Sequence, residues 1–297
     1  MYKAHFNLRE LPFGITPDTS FFFACSNYQA ALNTLLIATT NGEGFIKITG
    51  EVGTGKTLLC RKFMATLDEN FVTAYIPNPS LEPRTLMLAL ADELEISLDK
   101  DVDQHQLMKS INLRLLKLAE RGKKVVLCLD EAQALPLESL EALRLLTNLE
   151  TEKRKLLQIV LFGQPELNLK LQKNAIRQLT QRITFEYEIA PLTKDDMAFY
   201  IFHRLNVAGF AGSRLFTRGA LRRLYGASGG IPRLVNILAH KSLMAAYGEG
   251  AQTVGAANVR VAVKDTFPTK SRAWLWRLFG GSILFFALID VAMDYFK

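Results

Sequence analysis

The chain has 297 residues, of which 49% are hydrophobic and 22% are charged. These proportions exclude a wholly disordered chain, a collagen-like chain and a coiled-coil rod, and the length provides for one large domain or two ordinary ones. The net charge of +7 is unevenly spread, since residues 1–190 have 22 Lys and Arg against 23 Asp and Glu, and residues 191–297 have 14 against 6. The basic last third predicts an anionic neighbour (a membrane surface, a nucleic acid or bound phosphates), unless it is a solvated helical face.

The cysteines and histidines indicate neither a disulfide framework nor a metal site. Three cysteines lie far apart in the sequence, which favours a reducing compartment, and the four histidines lack the spacing of metal ligands. The first residues contain no apolar run of the secretory kind, so we expect no signal peptide. The main body of the protein is therefore predicted to be cytoplasmic.

Short β-type runs alternate with longer helical patterns over the first two-thirds of the chain. Strands that alternate with helices predict a parallel sheet with helices on both faces, which is an α/β fold. The runs that are typical of buried strands lie at residues 45–49, 71–76, 125–129, 158–162 and 183–189.

A helix is predicted over residues 104–121, followed by Gly122 at the position after the helix C-cap. Its apolar residues fall on one face of a helix. They are Leu107, Met108, Ile111, Leu115 and Leu118.

The strand pattern stops after Pro191, and Gly-rich turns then separate three amphipathic helices. We therefore expect an α/β domain over residues 1–190, a helical domain over residues 191–268, called the lid below, and a hydrophobic tail over residues 269–297. The three helices are predicted at residues 194–208, 217–227 and 231–247.

The tail contains a strongly apolar segment at residues 273–293. A helix of that length would span about 31 Å, enough for a bilayer core, although its uncharged part is only 12 residues long. Trp274 and Trp276 stand where interfacial aromatic residues do, and basic residues on the N-terminal side would keep the main body cytoplasmic. Those basic residues are Lys264, Lys270, Arg272 and Arg277. We expect a membrane anchor, the alternatives being a buried terminal helix or an amphipathic helix docked on a partner.

The most specific motif is a phosphate-binding loop at residues 50–57, directly after the first predicted strand and directly before a helix. Its glycines let backbone N–H groups turn inward towards phosphate oxygens, and the start of the helix adds partial positive charge. We expect Lys56 to reach the β- and γ-phosphates of ATP, and Thr57 to bind Mg²⁺. The predicted nucleotide-binding residues are Gly50, Glu51, Val52, Gly53, Thr54, Gly55, Lys56, Thr57 and Leu58.

Two carboxylates follow the apolar third strand. Asp130, at the strand end, is predicted to hold Mg²⁺, and Glu131 is predicted to polarise the attacking water. A carboxylate pair elsewhere would more often be a helix cap or a solvated surface. Its position after an apolar strand, about 75 residues beyond a phosphate loop, favours the chemical interpretation.

Four further polar residues are candidates for the same chemistry. Gln164 follows the fourth strand and would orient water or the γ-phosphate, or is an ordinary loop amide. Arg182 precedes the fifth strand and would stabilise phosphoryl charge from a neighbouring subunit, with Arg177 as its substitute and a surface salt bridge as the alternative. Arg233 opens a lid helix and would couple the nucleotide to lid position, or is an ordinary arginine at a helix start.

The order of these motifs resembles that of AAA+ ATPases over residues 1–265. The resemblance implies a five-stranded parallel sheet followed by a helical lid, and it implies that Gln164 is sensor 1, Arg182 the arginine finger and Arg233 sensor 2. In that family the N-terminal segment lies near the adenine, which implies a base-side contact for residues 6–17. More narrowly, the chain resembles the ExeA/GspA branch of secretion ATPases and, in size and opening sequence, the MshM-type ATPases of mannose-sensitive haemagglutinin (MSHA) pilus biogenesis. The segments that carry this likeness are FNLRELPFGITPDTSFFF, GEVGTGKT, LDEAQAL, GQPEL, LTQRI and GGIPRLVN.

The resemblance implies an oligomeric ATPase at the cytoplasmic face of the inner membrane. It would use ATP and Mg²⁺ to assemble a pilus or secretion apparatus together with the proteins of that machinery. One alternative is a DNA-associated regulator of the transposition-ATPase kind, which the basic excess would suit, although Arg222 and Arg223 form only a small cluster. The other is a nucleotide-gated scaffold with little turnover, which would need neither Glu131 nor Arg182.

Overall fold

The computed structural model describes residues 2–99, 102–150 and 155–267. The predicted tail at residues 269–297, with its apolar segment, lies outside the described residues. Among the residues that are described, none of the helices is both long enough and apolar enough to cross a membrane.

Five parallel strands form a single sheet in the order β2-β3-β4-β1-β5. This confirms the predicted α/β class, and the observed bounds differ from the predicted ones by at most one residue at either end. The strands are β1 (Phe45–Gly50), β2 (Phe71–Ile76), β3 (Lys124–Leu129), β4 (Leu157–Gly163) and β5 (Ile183–Ile189).

Helices cover both faces of the sheet because alternate residues of the central strands point to opposite sides. Ile46 and Ile48 of β1 belong to one buried cluster, while Phe45 belongs to the other. In the described part of the chain, eight α-helices precede or lie between the strands. They are α1 (Tyr2–His5), α2 (Ser26–Asn41), α3 (Lys56–Thr66), α4 (Pro83–Glu93), α5 (Gln104–Glu120), α6 (Leu137–Leu146), α7 (Glu166–Leu171) and α8 (Arg177–Thr180).

Helix α5 confirms the predicted helix and its end. Asp103 and Gln106 cap each other's backbone at the start, and Gly122 has a φ of +75° directly after the C-cap. The predicted apolar face is buried against the sheet, with Met108 partly buried at its margin.

The helical segment after the sheet contains four helices, one more than predicted. The additional helix buries only short side chains such as Val259 and Ala262, so its apolar pattern is weak. The core of one sheet face continues into this segment without a break, through Ile189, Leu192 and Met197. The helices are α9 (Lys194–Val207), α10 (Arg218–Ser228), α11 (Pro232–Gly248) and α12 (Ala256–Thr266).

Gly230 fixes the connection between the sheet and these helices. Its φ is +76°, and its carbonyl accepts a hydrogen bond of 3.0 Å from the Leu192 N–H. A Cβ at this position would lie 2.1 Å from the Leu192 carbonyl oxygen. The position therefore requires glycine for both its conformation and its packing.

We expect Gly230→Ala to lower the free energy of unfolding by about 1–3 kcal/mol, because a side chain would be strained and would displace the backbone of Leu192. Urea unfolding followed by circular dichroism measures the change. Gly226→Ala is the matched control, since a Cβ there would meet nothing within 4 Å. It lies inside α10 and should raise the unfolding free energy by about 0.5–1 kcal/mol. Equal effects of the two substitutions would contradict this account of Gly230.

Candidate functional site

The phosphate loop connects β1 to α3 at the carboxyl edge of the sheet. Gly53 and Gly55 have φ values of +84° and +90°, the left-handed conformation that aims consecutive N–H groups into one concavity. The Tyr28 hydroxyl donates to the Thr54 carbonyl and lies where a Cβ on Gly55 would have to go. The loop is therefore held in its curved shape from the side of α2.

Lys56 is buried, with 4% of its surface exposed. Its Nζ donates to the carbonyls of Gly50 at 2.8 Å and Glu51 at 3.0 Å. Burial lowers the pKa of the ammonium group, and the nearby carboxylates of Glu131 and Asp130 oppose that shift. The charge is thus held inside the loop with acidic groups beside it.

Thr57 and Asp130 are 73 residues apart in sequence, yet the Thr57 Oγ1 donates to the Asp130 Oδ2 at 2.6 Å. Asp130 is 2% exposed, so burial raises the pKa of its carboxyl above the usual range, while the bond from Thr57 opposes the rise. A hydroxyl and a carboxylate oxygen at this distance are the hard ligands that suit Mg²⁺. The described residues contain no group of three or more His, Cys, Asp or Glu that could hold a metal ion.

Glu131 begins the turn after β3 with a φ of +53°, which is uncommon for a residue with a side chain. Its Oε2 accepts hydrogen bonds from the Gln133 Nε2 at 2.5 Å and the Gln164 Nε2 at 2.9 Å. Burial would raise the pKa of this carboxyl, but the two amide bonds outweigh it, and the pKa is lowered. The Oε1 accepts no hydrogen bond from the described part of the chain, so it is free to accept a proton from water.

Gln133 was not among the predicted site residues. It ties the two strand ends together, because its Nε2 donates to Glu131 while its Oε1 accepts from the Gln164 N–H at 3.0 Å. The Lys170 ammonium braces the same turn by donating to the carbonyls of Gln133 and, at 2.8 Å, Leu135. An amide two residues after the predicted catalytic carboxylate is the one sequence feature that points to this role.

A cavity of about 290 Å³ lies between the phosphate loop, Glu131 and the lid. Of the predicted nucleotide-binding residues, Gly50, Glu51 and Thr54 do not line it, and serve instead as carbonyl partners of Lys56 and Tyr28. The lining residues are Gly14, Ile15, Thr16, Pro17, Asp18, Val52, Gly53, Gly55, Lys56, Thr57, Leu58, Glu131, Tyr200, Arg204, Pro232, Arg233 and Asn236.

The far wall of the cavity joins the N-terminal segment to the lid. The carbonyl of Gly14 accepts bonds of 3.3 Å from both Arg204 and Asn236, and the Tyr200 hydroxyl donates to the Asn236 Oδ1 at 2.9 Å. Residues 14–18 therefore line the cavity, whereas Phe6 and Phe13 of the segment predicted to contact the base are buried in the core. Tyr200, Arg204 and Asn236 were not predicted, because their role arises from tertiary contacts that no periodic pattern shows.

Arg233 lies on the lid side of the phosphate loop. Its backbone N–H donates to the Gly53 carbonyl at 3.1 Å, and its Cβ lies 2.6 Å from where a Cβ on Gly53 would be. The start of α11 thus touches the loop directly, and any shift of α11 moves a group in contact with the phosphate site.

Arg182 is not brought to the phosphate loop of its own chain. It precedes Ile183, which pairs with the first residue of β1, so it lies roughly 20 Å from Gly50 along the strand. Its guanidinium donates to the Arg144 carbonyl and the Thr147 hydroxyl at 3.1 and 2.9 Å. Arg177 is exposed, and its guanidinium group makes no hydrogen bond or ion pair with the residues that the structure describes.

Comparisons with known proteins agree with this geometry. The sequence model of the AAA domain family matches residues 39–171. A curated relative, general secretion pathway protein A of Aeromonas hydrophila, is 42% identical over 265 residues, which cover 89% of this chain and 48% of the relative. The chain thus spans about half the length of that protein.

Solved structures share the fold at low sequence identity. Cdc6p of Pyrobaculum aerophilum has a TM-score of 0.67 and 20% identity, over 92% of this chain and 73% of its own. The ORC2 protein of Aeropyrum pernix, solved as ADPNP–ADP complexes, has a TM-score of 0.60 and 15% identity, over 84% and 72% of the two chains. Residues 39–171 thus match an AAA domain, and the sheet has the same fold as these solved P-loop structures. The phosphate loop at residues 50–57 has the Walker A sequence pattern, and Asp130 and Glu131 are the candidates for the Walker B position; all of them lie within the matched range.

We expect Gln133→Ala to lower the ATPase kcat by roughly 10- to 100-fold, because Glu131 loses one of two bonds that orient it and general-base catalysis depends on that orientation. ATP affinity should stay within about 2-fold, since Gln133 does not line the cavity. Steady-state kinetics with an independent binding titration separate the two effects. Gln172→Ala removes a similar amide from an exposed position and serves as the control. An unchanged or increased kcat would show that Gln133 does not position Glu131.

Proposed function

We propose that this AAA domain binds ATP with Mg²⁺ in the cavity beside the Walker A motif and hydrolyses the γ-phosphate. The observation that carries the proposal is the Thr57–Asp130 hydrogen bond, which places two magnesium-type ligands next to Lys56 and Glu131. Mg²⁺, when bound there, neutralises phosphate charge. Lys56 pairs with the β- and γ-phosphates once its bonds to the loop carbonyls are exchanged for them.

Glu131 acts as the general base in this proposal. The amides of Gln133 and Gln164 hold its Oε2, and its lowered pKa keeps the carboxylate ionised. The free Oε1 then accepts a proton from the water that attacks the γ-phosphate. Gln164, the proposed sensor 1, donates a hydrogen bond to this carboxylate. It would therefore respond to changes at the γ-phosphate.

The lid couples the nucleotide to movement. Arg233, the proposed sensor 2, lies at the first turn of α11, where its backbone already binds Gly53. If the Arg233 guanidinium binds the γ-phosphate, it would pull α11 towards the nucleotide. The N-terminal segment would move with it, because Asn236 and Arg204 bind the Gly14 carbonyl. Hydrolysis would release that pull and let the lid move relative to the sheet.

A second copy of the chain would supply an arginine to complete the site. In its own chain Arg182 lies at the amino end of the strands, whereas the Walker A motif lies at their carboxyl end. Arg177 has the exposure that a finger acting on a neighbour requires, whereas Arg182 would have to leave Arg144 and Thr147. Arg177 and Arg182 therefore both remain candidates for the arginine finger, and Arg177 is the more exposed of the two. Either one requires an oligomer.

The cellular role that the relative supports is an ATPase of a type II secretion or type IV-like pilus system, of which the MSHA pilus is the narrower case. The support is the 42% identity to general secretion pathway protein A. We place the protein at the cytoplasmic face of the inner membrane because residues 273–293 are apolar and basic residues precede them. Its partners would be proteins of that machinery.

Lys56→Ala and Glu131→Gln should separate binding from hydrolysis. Lys56→Ala removes the ammonium group that faces the phosphates, so ATP binding should be lost. Glu131→Gln should bind ATP normally while kcat falls by roughly 10²- to 10⁴-fold, because an amide cannot accept the proton. Nucleotide-binding titrations and phosphate-release assays measure the two effects.

Lys109→Ala and Glu138→Gln make the same chemical changes at exposed positions of α5 and α6, and both should behave as wild type. If Glu131→Gln hydrolyses ATP at the wild-type rate, the proposed general base is wrong. If Lys56→Ala keeps full affinity, the nucleotide site is elsewhere.

A further inference from the structure

The exposed face of α10 is made of arginine and glycine only. Its buried side consists of Ala220, Leu224 and Ser228. The sequence cluster of Arg222 and Arg223 extends in the structure to four exposed arginines. The exposed residues are Arg214 just before the helix, then Arg218, Gly219, Arg222, Arg223 and Gly226. We call the four arginines at positions 214, 218, 222 and 223 the α10 arginine face.

This face has no counter-charge in the described chain. None of its four guanidinium groups makes an ion pair, a side-chain hydrogen bond or a ring contact with the residues that the structure describes. Two carboxylates at the neighbouring helices α11 and α12 are engaged elsewhere, since Asp265 pairs with Lys241 at 2.7 Å and Glu249 accepts from Asn258 at 2.7 Å. The positive charge of the face is therefore directed at solvent or at a partner.

The arrangement is unfavourable for the isolated helix. Arg218 is the first residue of α10, where the positive end of the helix dipole disfavours a cation. Arg218 and Arg222 are one turn apart, so they repel each other, and α10 contains no acidic residue. A solvated face would be more stable with mixed charges, so this pattern indicates a polyanionic partner.

We propose that the α10 arginine face binds the headgroups of anionic phospholipids. The inference rests on the membrane location in the proposed function, and it assigns to the lid a contact separate from the hydrophobic tail. Helix α10 packs on α12, since a Cβ on Gly219 would lie 3.6 Å from the Ala256 Cβ at the start of α12. Helix α12 is about 16 Å long, and the sequence that follows it enters the apolar segment at residues 273–293.

Lipid fits this face better than nucleic acid does. The exposed positions offer no aromatic ring for stacking on bases and no amide for reading base edges. Guanidinium groups bind phosphate groups in a bidentate way, and a lipid leaflet presents its headgroup phosphates in a plane. Cations held within a Debye length of an anionic leaflet each increase binding to the membrane.

The test compares the full chain on vesicles of pure phosphatidylcholine with the full chain on vesicles that also contain phosphatidylglycerol. The variant carries R214Q, R218Q, R222Q and R223Q together. Its control replaces an equal number of exposed cations on the α/β domain by glutamine. These are Lys109, Lys117, Arg121 and Lys173. Flotation gives the partition coefficient, and ATPase turnover, which should be equal in all three proteins, shows that the variants are folded.

We expect wild type and control to bind the phosphatidylglycerol vesicles at least about 10-fold more tightly than the neutral ones, since each arginine at the surface contributes roughly 5-fold. That preference should weaken as salt is added, and the arginine variant should lose most of it while still binding neutral vesicles. If the variant keeps the full preference, the inference is overturned although the membrane location stands.

Two other outcomes also overturn it. If wild type binds neither kind of vesicle, the membrane location in the proposed function has failed together with the inference. If wild type shows no lipid preference but retains duplex DNA in a gel-shift assay, and the arginine variant does not, the partner of this face is nucleic acid.

Discussion

The hydrogen bond from Thr57 to Asp130 is the contact on which the functional site depends. It joins the first turn of α3 to the end of β3, although β4 lies between β1 and β3 in the sheet. Only parallel strands bring the Walker A loop, Asp130 and Gln164 to one edge. Asp130 is buried, and a buried carboxylate without a hydrogen-bond partner is unfavourable. Thr57 supplies that partner, so the phosphate loop and the end of β3 stabilise each other.

Around that contact the chain builds a cleft from three separate parts. The sheet edge contributes the loop and Glu131, the N-terminal segment contributes residues 14–18, and the lid contributes Tyr200, Arg204 and Arg233. The lid touches both other parts, through Gly53 and Gly14. A ligand in the cleft therefore contacts all three parts that must move. Arg177 and Arg182 lie away from it, near the amino ends of the strands. In this account a single copy lacks one charge that phosphoryl transfer requires.

Much of the fold could be predicted because its strands are short apolar runs between turn residues, and Gly122 and Pro191 mark real element ends. The Walker residues could be predicted because their chemistry fixes both residue type and spacing. Gln133 could not, since its function depends on the turn after β3 that brings its amide to Glu131. Arg204 and Asn236 were missed for the same reason, as their partner Gly14 is about 190 and 222 residues away in sequence. Helix α12 was missed because it buries few large side chains.

Specific ATPase activity measured against protein concentration tests the central claim most directly, namely that one copy holds an incomplete site. The account predicts that activity per chain rises with concentration and then reaches a plateau. It also predicts that Arg177→Ala or Arg182→Ala removes the rise while ATP binding is retained. Mixing that arginine variant with Glu131→Gln should restore activity, since each copy then supplies what the other lacks. Substantial activity that is independent of concentration and insensitive to both arginines would contradict the account.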